Sequence, residues 1–253
     1  MTLASSIGLG QSIGRRERQE DCIARLPPEG ARAELLVLSD GMGGAAAGDL
    51  AGRLIVHSVL QVYSRARAPG VAPTGGILRA GAERANKVLQ DRAEAEPELK
   101  GMGGTLLTVR LLPLGIQFFS MGDSPLYLVR RGHAYRMNAD HSIGGILDAA
   151  VARGEMSAQD AMSRRDRNSI ISVIMGEPIS TMRMDETIDI VPIRPDDTLI
   201  LASDGLDTLL PEAIGQIAQG GANATAVVDG LLRAVEAADR PRQDNTSVIV
   251  ARF

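Results

Sequence analysis

Apolar residues along the chain fall into continuous runs, alternating stretches and patterns with helical spacing. The continuous run 35–38, bounded by turn-forming residues, is typical of a buried strand. Alternation on either side of 113–115, and again around 131–132, predicts antiparallel hairpins. Apolar residues three and four positions apart predict helices over 45–64, 77–95, 211–218 and 224–238. These patterns predict a mixed α/β fold, and the hairpins exclude an all-parallel sheet.

Shorter patterns complete the predicted elements. Further strands are predicted at 7–12, 22–26, 34–39, 134–137, 187–191 and 247–253. Proline and glycine predict a turn at 27–32 and a loop at 68–76, and Ser157 is predicted to begin a short helix. Because no linker or tandem repeat divides the 253 residues, we expect a single domain over 1–253.

Acidic residues recur where the predicted strands begin or end. Asp40 and Asp204 each follow an apolar run, Asp244 precedes the last run, and Glu20 and Asp21 precede an early one. Carboxylates are rarely buried unless they are paired or bound to metal, and hard divalent cations prefer oxygen ligands. These acids could therefore converge on a cation. Taken alone, the Asp-Gly pair that begins at Asp40 could equally form an ordinary turn.

Composition and charge narrow the classes of function. The formal net charge of −4 argues against a general nucleic-acid binder. The one cysteine, Cys22, excludes an intrachain disulfide and has no evident histidine partner, so we interpret it as a small apolar filler. No apolar stretch approaches the ~20 residues that span a bilayer, and the first residues do not resemble a signal peptide. We therefore expect a cytoplasmic protein without membrane insertion.

Six short motifs follow one another in an order that resembles a known family. They are GRRERQED at 14–21, SDGMGG at 39–44, GMGGT at 101–105, MGDS at 121–124, ASDG at 202–205 and QDNT at 243–246. Together they resemble the bacterial metal-dependent type 2C (PPM) serine/threonine protein phosphatases. The resemblance implies an α+β fold, a four-layer α/β/β/α sandwich of two antiparallel sheets flanked by helices, with the site at one edge.

The resemblance also implies a set of metal ligands. Asp40 would bridge two Mn²⁺ or Mg²⁺ ions, Asp204 and Asp244 would complete the first, and the Gly41 carbonyl would serve the second. Glu20 and Asp21 would hold waters near the pair. Two such ions lower the pKa of a water between them and clamp phosphoryl oxygens, so hydrolysis needs no covalent phosphoenzyme.

Two further residues receive roles from the resemblance. Arg16 lies five residues before Asp21, where the family places a phosphate-binding arginine, and a guanidinium fork matches phosphate geometry. The alternative is a solvated basic turn. Asp123 is expected to help Asp204 hold a third, weaker ion; alternatively, it caps its own turn.

The region of about 141–177 resembles the flap that flanks the site in this family, although the pattern alone fits a surface excursion equally well. It carries Arg165-Asp166 where bacterial relatives have a His-Pro pair. Met42 stands where some relatives have a histidine that is proposed to protonate the leaving group, and methionine cannot donate a proton. His141 would replace it only if the flap brought it near.

The expected function is metal-dependent hydrolysis of phosphoserine and phosphothreonine in proteins, reversing a cognate serine/threonine kinase. We expect a monomer whose partners are phosphorylated proteins. Two other functions stay open: a catalytically inactive binding module, and a metal hydrolase of small phosphate esters. The intact acidic set argues against the first of these two.

Overall fold

The computed structural model describes residues 4–28, 33–43, 47–66 and 76–253. The strands of this part of the chain are β1 (Ser6–Ser12), β2 (Asp21–Leu26), β3 (Glu34–Met42), β4 (Gly103–Gly104), β5 (Leu106–Leu112), β6 (Gly115–Met121), β7 (Leu126–Arg130), β8 (His133–Arg136), β9 (Asp185–Glu186), β10 (Val191–Pro192), β11 (Thr198–Ala202) and β12 (Thr246–Arg252). The helices are α1 (Ala47–Ala66), α2 (Ile77–Ala95), α3 (Ile143–Ala152), α4 (Ala158–Ser163), α5 (Pro211–Gly220) and α6 (Ala224–Ala237), with short 3-10 helices at Pro97–Leu99, Ile179–Thr181 and Asp204–Thr208.

Two antiparallel sheets form the middle of the molecule. The strand order is β1-β12-β11-β7-β8 in one and β10-β6-β5-β3-β2 in the other, where β4 also pairs with β3 and β9 with β6. Helices α1 and α2 cover the outer face of the β3 sheet, and α5 and α6 cover the outer face of the β12 sheet. The expected four-layer sandwich is therefore confirmed.

The sequence of β3 follows from its place in these layers. Leu35 and Val37 pack against α1 and α2, whereas Leu36 and Leu38 pack against the facing sheet. A strand that is buried on both faces must be apolar throughout rather than alternating. Burying each of these side chains contributes about 1.5–3 kcal/mol to folding. Because this apolar run lies between the layers, the polar end of β3 lies at the edge of the sandwich.

Most predicted elements are present, with shifts of a few residues at their ends. Helix α2 has the predicted bounds 77–95, and α1 begins in the described residues at Ala47 and continues to Ala66. Predicted positions 45–46, 29–32 and 68–75 lie outside the described residues. Within the described ranges, no helix combines the length and apolarity needed to cross a membrane.

The predicted strand at 187–191 is wrong. Two-residue strands β9 and β10 pair separately with β6, and Ile188 between them is 80% exposed. The Thr187 side chain explains the interruption, because its Oγ1 accepts a hydrogen bond from the Phe118 N–H at 2.7 Å. A side-chain acceptor thus takes the place of a backbone carbonyl at this position. Ile188 and Ile190, the alternating apolar residues here, are exposed instead of packing on a sheet face.

Candidate active site

The pairing of β2 with β3 places two carboxylates side by side. Asp21 is the cross-strand partner of Asp40, so both side chains project from the same face of the sheet. Burial, followed by the nearby charges of Asp21, Asp204 and Asp123, raises the pKa of Asp40 well above its ordinary value. Burial also raises the pKa of Asp21. Like charges directly opposite each other destabilise a sheet, and a cation between them would remove that cost.

Asp21 also connects the two sheets. Its Oδ2 accepts hydrogen bonds from the hydroxyls of Ser203, at 2.7 Å, and Ser247, at 2.6 Å, which both belong to the facing sheet region. The Ser247 N–H donates to the Ser203 hydroxyl at 2.9 Å. The other carboxylate oxygen of Asp21, Oδ1, is buried and accepts no hydrogen bond from any described residue. Oδ2 of Asp21 therefore links the two sheets, and Oδ1 remains available to another ligand.

Asp40 is held through its backbone by Thr105. The Asp40 N–H donates to Thr105 Oγ1 at 2.9 Å, and the Thr105 N–H donates to the Asp40 carbonyl at 2.9 Å. Thr105 Oγ1 also lies 2.8 Å from the hydroxyl of Ser124, next to Asp123. The GMGGT and MGDS motifs thus lock the end of β3 to the turn that carries Asp123.

Asp204 and Asp244 meet where β11 ends and β12 begins. Asp204 opens a 3-10 helix, and its Oδ1 is buried without a hydrogen bond from the described chain. Burial, with Asp123 and Asp244 nearby, raises the pKa of Asp204 to about 8. Gln243 ties the two segments together, since its Nε2 donates to the Gly205 carbonyl at 3.0 Å. This link keeps the two carboxylates on the same edge.

The loop that carries Arg16 is fixed beside Asp244. A guanidinium nitrogen of Arg16 forms a short ion pair with Asp244 Oδ2. Asn245 holds both ends of the loop, because its Nδ2 donates to the carbonyls of Ile13 and Arg18, each at 2.9 Å. Its Oδ1 accepts from the Glu20 N–H at 2.8 Å. Arg16 therefore lies at the acidic edge.

Glycines allow three segments to meet around Glu20. The Gly41 N–H donates to the Glu20 carbonyl at 3.2 Å. A Cβ on Gly41 would lie 2.7 Å from that carbonyl oxygen and closer still to the carbonyl oxygen of Gly48 in α1. A Cβ on Gly48 would in turn lie 2.8 Å from the Glu20 carboxyl carbon. A side chain at Gly41 would therefore push β3, α1 and the Glu20 segment apart, whereas one at Gly48 would displace the Glu20 carboxylate.

Asp123 is buried at the same edge. Its Oδ1 accepts no hydrogen bond from the described residues. Burial and the charge of Asp140 raise its pKa to about 6, although a bond from its own backbone N–H acts in the opposite direction. Arg136 Nη2 donates to the Asp123 backbone carbonyl at 2.6 Å. Asp123 thus combines partial turn capping with one available oxygen.

His141 has a structural role in this arrangement. The Gly122 N–H donates to the ring Nδ1 of His141 at 3.3 Å, and the backbone N–H of His141 donates to the Gly122 carbonyl at 3.1 Å. Its Nε2 lies 3.8 Å from Asp185, and the ring is buried. Because Nδ1 accepts from Gly122 and Nε2 faces Asp185, the His141 ring is held against the Gly122 turn.

The excursion from about 141 to 177 lies beside the same edge. It contains α3 and α4, and the backbone of Ile174 forms two hydrogen bonds with Gly104, at 2.9 and 3.0 Å. Ser157 caps α4 as predicted, accepting from the Asp160 N–H at 3.0 Å. Met162 of this excursion lines a groove together with Asp204 and Asp244.

The family described as Protein phosphatase 2C matches residues 17–243 of the sequence. The chain belongs to the protein phosphatase 2C family. It is 30% identical over 179 residues to the serine/threonine phosphatase stp of Listeria welshimeri, a match that covers 70% of this chain and 68% of that relative. As a member of this metal-dependent family, it is a protein-serine/threonine phosphatase.

Solved structures of serine/threonine phosphatases agree with this assignment. The crystal structure of PstP/Ppp from Mycobacterium tuberculosis is 28% identical, with a TM-score of 0.78 over 98% of this chain and 97% of that one. The catalytic domain of PstP in complex with two manganese ions is 27% identical, with a TM-score of 0.78 over 97% and 96% of the two chains. The 2C phosphatase fold thus extends over nearly the whole sequence.

The donors at the acidic edge suit the ions that a 2C phosphatase requires. Carboxylate oxygens favour Mg²⁺ and Mn²⁺, and Asp21, Asp123 and Asp204 each keep a buried oxygen without a described partner. Asp40 and Asp244 add further negative charge at the same edge. Within the described ranges, no group of three or more acidic, histidine or cysteine side chains is arranged so that it could hold a metal ion. The donor set therefore fits a divalent cation in chemistry and charge.

Several residues that hold this 2C site together were not singled out by the sequence analysis. They are Ser203, Ser247, Asn245 and Thr105. Three of these lie inside the quoted motifs and Ser247 directly follows the last motif, but the motifs do not show which groups these side chains contact. Ser247 had one signal, since it is a polar residue at the start of the apolar run 248–251.

Proposed function

We propose that this 2C phosphatase hydrolyses phosphoserine and phosphothreonine in proteins with two divalent cations, Mn²⁺ or Mg²⁺. Asp40, Asp204 and Asp244, with the Gly41 carbonyl, would hold the ions, and Glu20 and Asp21 would lie next to them. Divalent cations in such a site activate a water and neutralise phosphoryl oxygens. The convergence of buried carboxylates with available oxygens at one edge carries this proposal.

The protein contributes a rigid frame to this chemistry. Thr105 fixes the backbone of Asp40, and the hydroxyls of Ser203 and Ser247 orient Asp21. Arg16 contacts Asp244 with one nitrogen, and a guanidinium has five N–H donors. Its remaining donors can therefore bind a phosphate oxygen while the ion pair sets the orientation of the side chain.

The experiment that tests this function compares substrates under controlled metal. We expect hydrolysis of a phosphoserine peptide to require Mn²⁺ or Mg²⁺, to stop with EDTA, and to return when metal is restored. Added Mn²⁺ should also raise the melting temperature, because a ligand that binds only the folded state stabilises it. Hydrolysis that continues in metal-stripped buffer would overturn the metal mechanism, and faster turnover of a small phosphate ester would favour the metabolite hydrolase.

Replacing Arg16 tests its contact with the substrate phosphate. We expect Arg16→Ala to raise KM for a phosphopeptide by about tenfold, because hydrogen bonds to charged groups contribute roughly 1.5–3 kcal/mol. Arg16→Lys should restore little, since lysine lacks the two-pronged fork. Arg15→Ala is the control, because Arg15 pairs with exposed Asp239 instead. A normal KM in Arg16→Ala combined with a raised KM in Arg15→Ala would assign the role to Arg15.

We further propose that Asp123, with Asp204, would hold a third, weaker ion, and that a water beside these carboxylates would give the leaving group the proton that Met42 cannot give. An ion with few protein ligands should exchange readily. We expect Asp123→Asn to keep two tightly bound metals in titration but to lose much of its turnover on phosphopeptides. An aryl phosphate, whose leaving group needs little protonation, should be affected less. Normal phosphopeptide turnover at limiting metal would leave Asp123 as a turn cap.

The partners follow from this function. We propose that the protein acts as a cytoplasmic monomer on phosphorylated proteins and reverses a cognate serine/threonine kinase. The sites whose phosphorylation rises when the phosphatase is deleted would identify both the substrates and that kinase. An unchanged phosphoproteome would contradict this assignment.

A further inference from the structure

A groove of 760 Å³ leads away from the acidic edge. It begins at Asp204 and Asp244 and passes between the excursion and the loop that precedes β12. Met162 lies on the excursion side, and Arg240 and Arg242 lie on the loop side. The groove therefore joins the proposed metal ligands directly to two arginines that the chemistry of hydrolysis does not use.

These arginines differ from the others near the site. Arg15 and Arg16 are engaged by Asp239 and Asp244. In the part of the chain that the structure describes, the exposed side chains of Arg240 and Arg242 form neither an ion pair nor a hydrogen bond. A guanidinium is a rigid, permanently charged fork that binds carboxylates in a bidentate manner. Both groups are thus available to an acidic ligand.

The loop that carries them has a fixed base. The Gln243 N–H donates to the Arg240 carbonyl at 3.2 Å, which closes a turn. The Gln243 side chain accepts from Thr208 Oγ1 at 2.6 Å and is buried. Pro241 restricts the backbone between the two arginines. Arg240 and Arg242 are therefore presented from a defined position at the side of the groove.

The opposite wall of the groove can accommodate substrate segments of different sequence. Met162 is 77% exposed there, and methionine adapts to different apolar neighbours because its side chain is long and unbranched. Arg242 and Arg240 are two and four residues from Asp244, so an extended chain places them within roughly 7 and 14 Å of it. A substrate strand advances about 3.3 Å per residue, so the arginines lie within about four residues of the phosphorylated position.

We propose that this groove binds the substrate segment next to the phosphorylated residue, and that Arg240 and Arg242 select acidic side chains within about four positions of it. The inference rests on the proposed function, because the phosphate must be bound at the acidic edge. Here the arginines act on specificity: they attract aspartate or glutamate where the carboxylates of the site alone would repel them.

Matched phosphopeptides test this selection. One pair carries glutamates or glutamines two to four residues before the phosphoserine, and a second pair carries them after it. For at least one pair, we expect the wild-type enzyme to have about a three- to tenfold higher kcat/KM on the glutamate peptide, through KM. The preference should shrink in high salt, because exposed charges are screened.

Variants assign the preference to the two arginines. The double variant Arg240→Gln/Arg242→Gln should remove most of it. Arg233→Gln should leave the preference unchanged, since Arg233 is an exposed residue of α6 outside the groove. The urea midpoints of both variants should match that of the wild type, because the replaced side chains are exposed.

The outcomes separate this inference from the proposed function. Equal turnover of glutamate and glutamine peptides by the wild type overturns the selection but leaves the phosphatase assignment intact. A preference that persists in the double variant also overturns it. If metal-loaded enzyme hydrolyses none of the phosphopeptides, the proposed function fails as well.

Discussion

Asp40→Asn is expected to lower kcat on a phosphopeptide by on the order of a thousandfold, while the protein remains folded. The pKa of Asp40 is raised by the charges of four neighbouring carboxylates: Asp21, Asp204, Asp123 and Asp244. Its amide replacement keeps the shape but removes the negative charge that would bind two cations at once. Because this charge is proposed to bridge them, no neighbouring carboxylate can substitute for it.

Metal-free stability provides a second readout. A carboxyl whose pKa is raised by folding stabilises the protein most when it is protonated, and this contribution disappears as the pH rises through the folded-state pKa. Above the ordinary carboxyl pKa, Asp40 therefore opposes folding, and Asp40→Asn should melt at the same or a higher temperature than the wild type without metal. Added Mn²⁺ should raise the melting temperature of the wild type much more than that of the variant.

Asp229→Asn serves as the control for Asp40→Asn. Asp229 is an exposed residue of α6 that makes no hydrogen bond or ion pair with the described residues, so both its turnover and its Mn²⁺-induced shift should equal those of the wild type. Substantial activity in Asp40→Asn, or an unchanged response to Mn²⁺, would contradict the ligand assignment. A collapse of metal-free stability would instead show that Asp40 is needed for folding.

Gly41→Ala is expected to lower the free energy of unfolding by about 1–3 kcal/mol and to remove most of the activity. The added methyl group would overlap the backbone carbonyl oxygens of Gly48 and Glu20. Backbone atoms cannot rotate away as a flexible side chain does, so β3 or α1 must shift. Such a shift would displace Asp40, which immediately precedes Gly41.

Urea denaturation, followed by circular dichroism, measures this effect against Gly220→Ala. Gly220 ends α5, and a Cβ there would meet no heavy atom within 4 Å. Alanine at that position should be neutral or stabilising by up to about 1 kcal/mol, because glycine loses more conformational entropy on folding. A wild-type urea midpoint in Gly41→Ala would show that the three segments have more room than their close approach indicates.

The sequence by itself determined the local elements and the identity of the acids. The run 35–38 predicts a strand because each of its residues is apolar, and α2 has the predicted bounds because its apolar spacing is helical. Asp40, Asp204 and Asp244 were identified by their places in short motifs. Such patterns can be read locally, since they depend on the conformation of a few consecutive residues. The same reasoning fails at 187–191, where the bond between Thr187 and Phe118 interrupts the predicted strand.

Tertiary structure alone decided which groups meet. Asp21 faces Asp40 through the register of β2 with β3, and it reaches Ser247 across 226 residues of sequence. The fold also places the His141 ring against the Gly122 turn. The groove beside Arg242 likewise exists only because the excursion folds back toward the start of β12. Strand register and sheet packing set these distances, and neither follows from the spacing of residues along the chain.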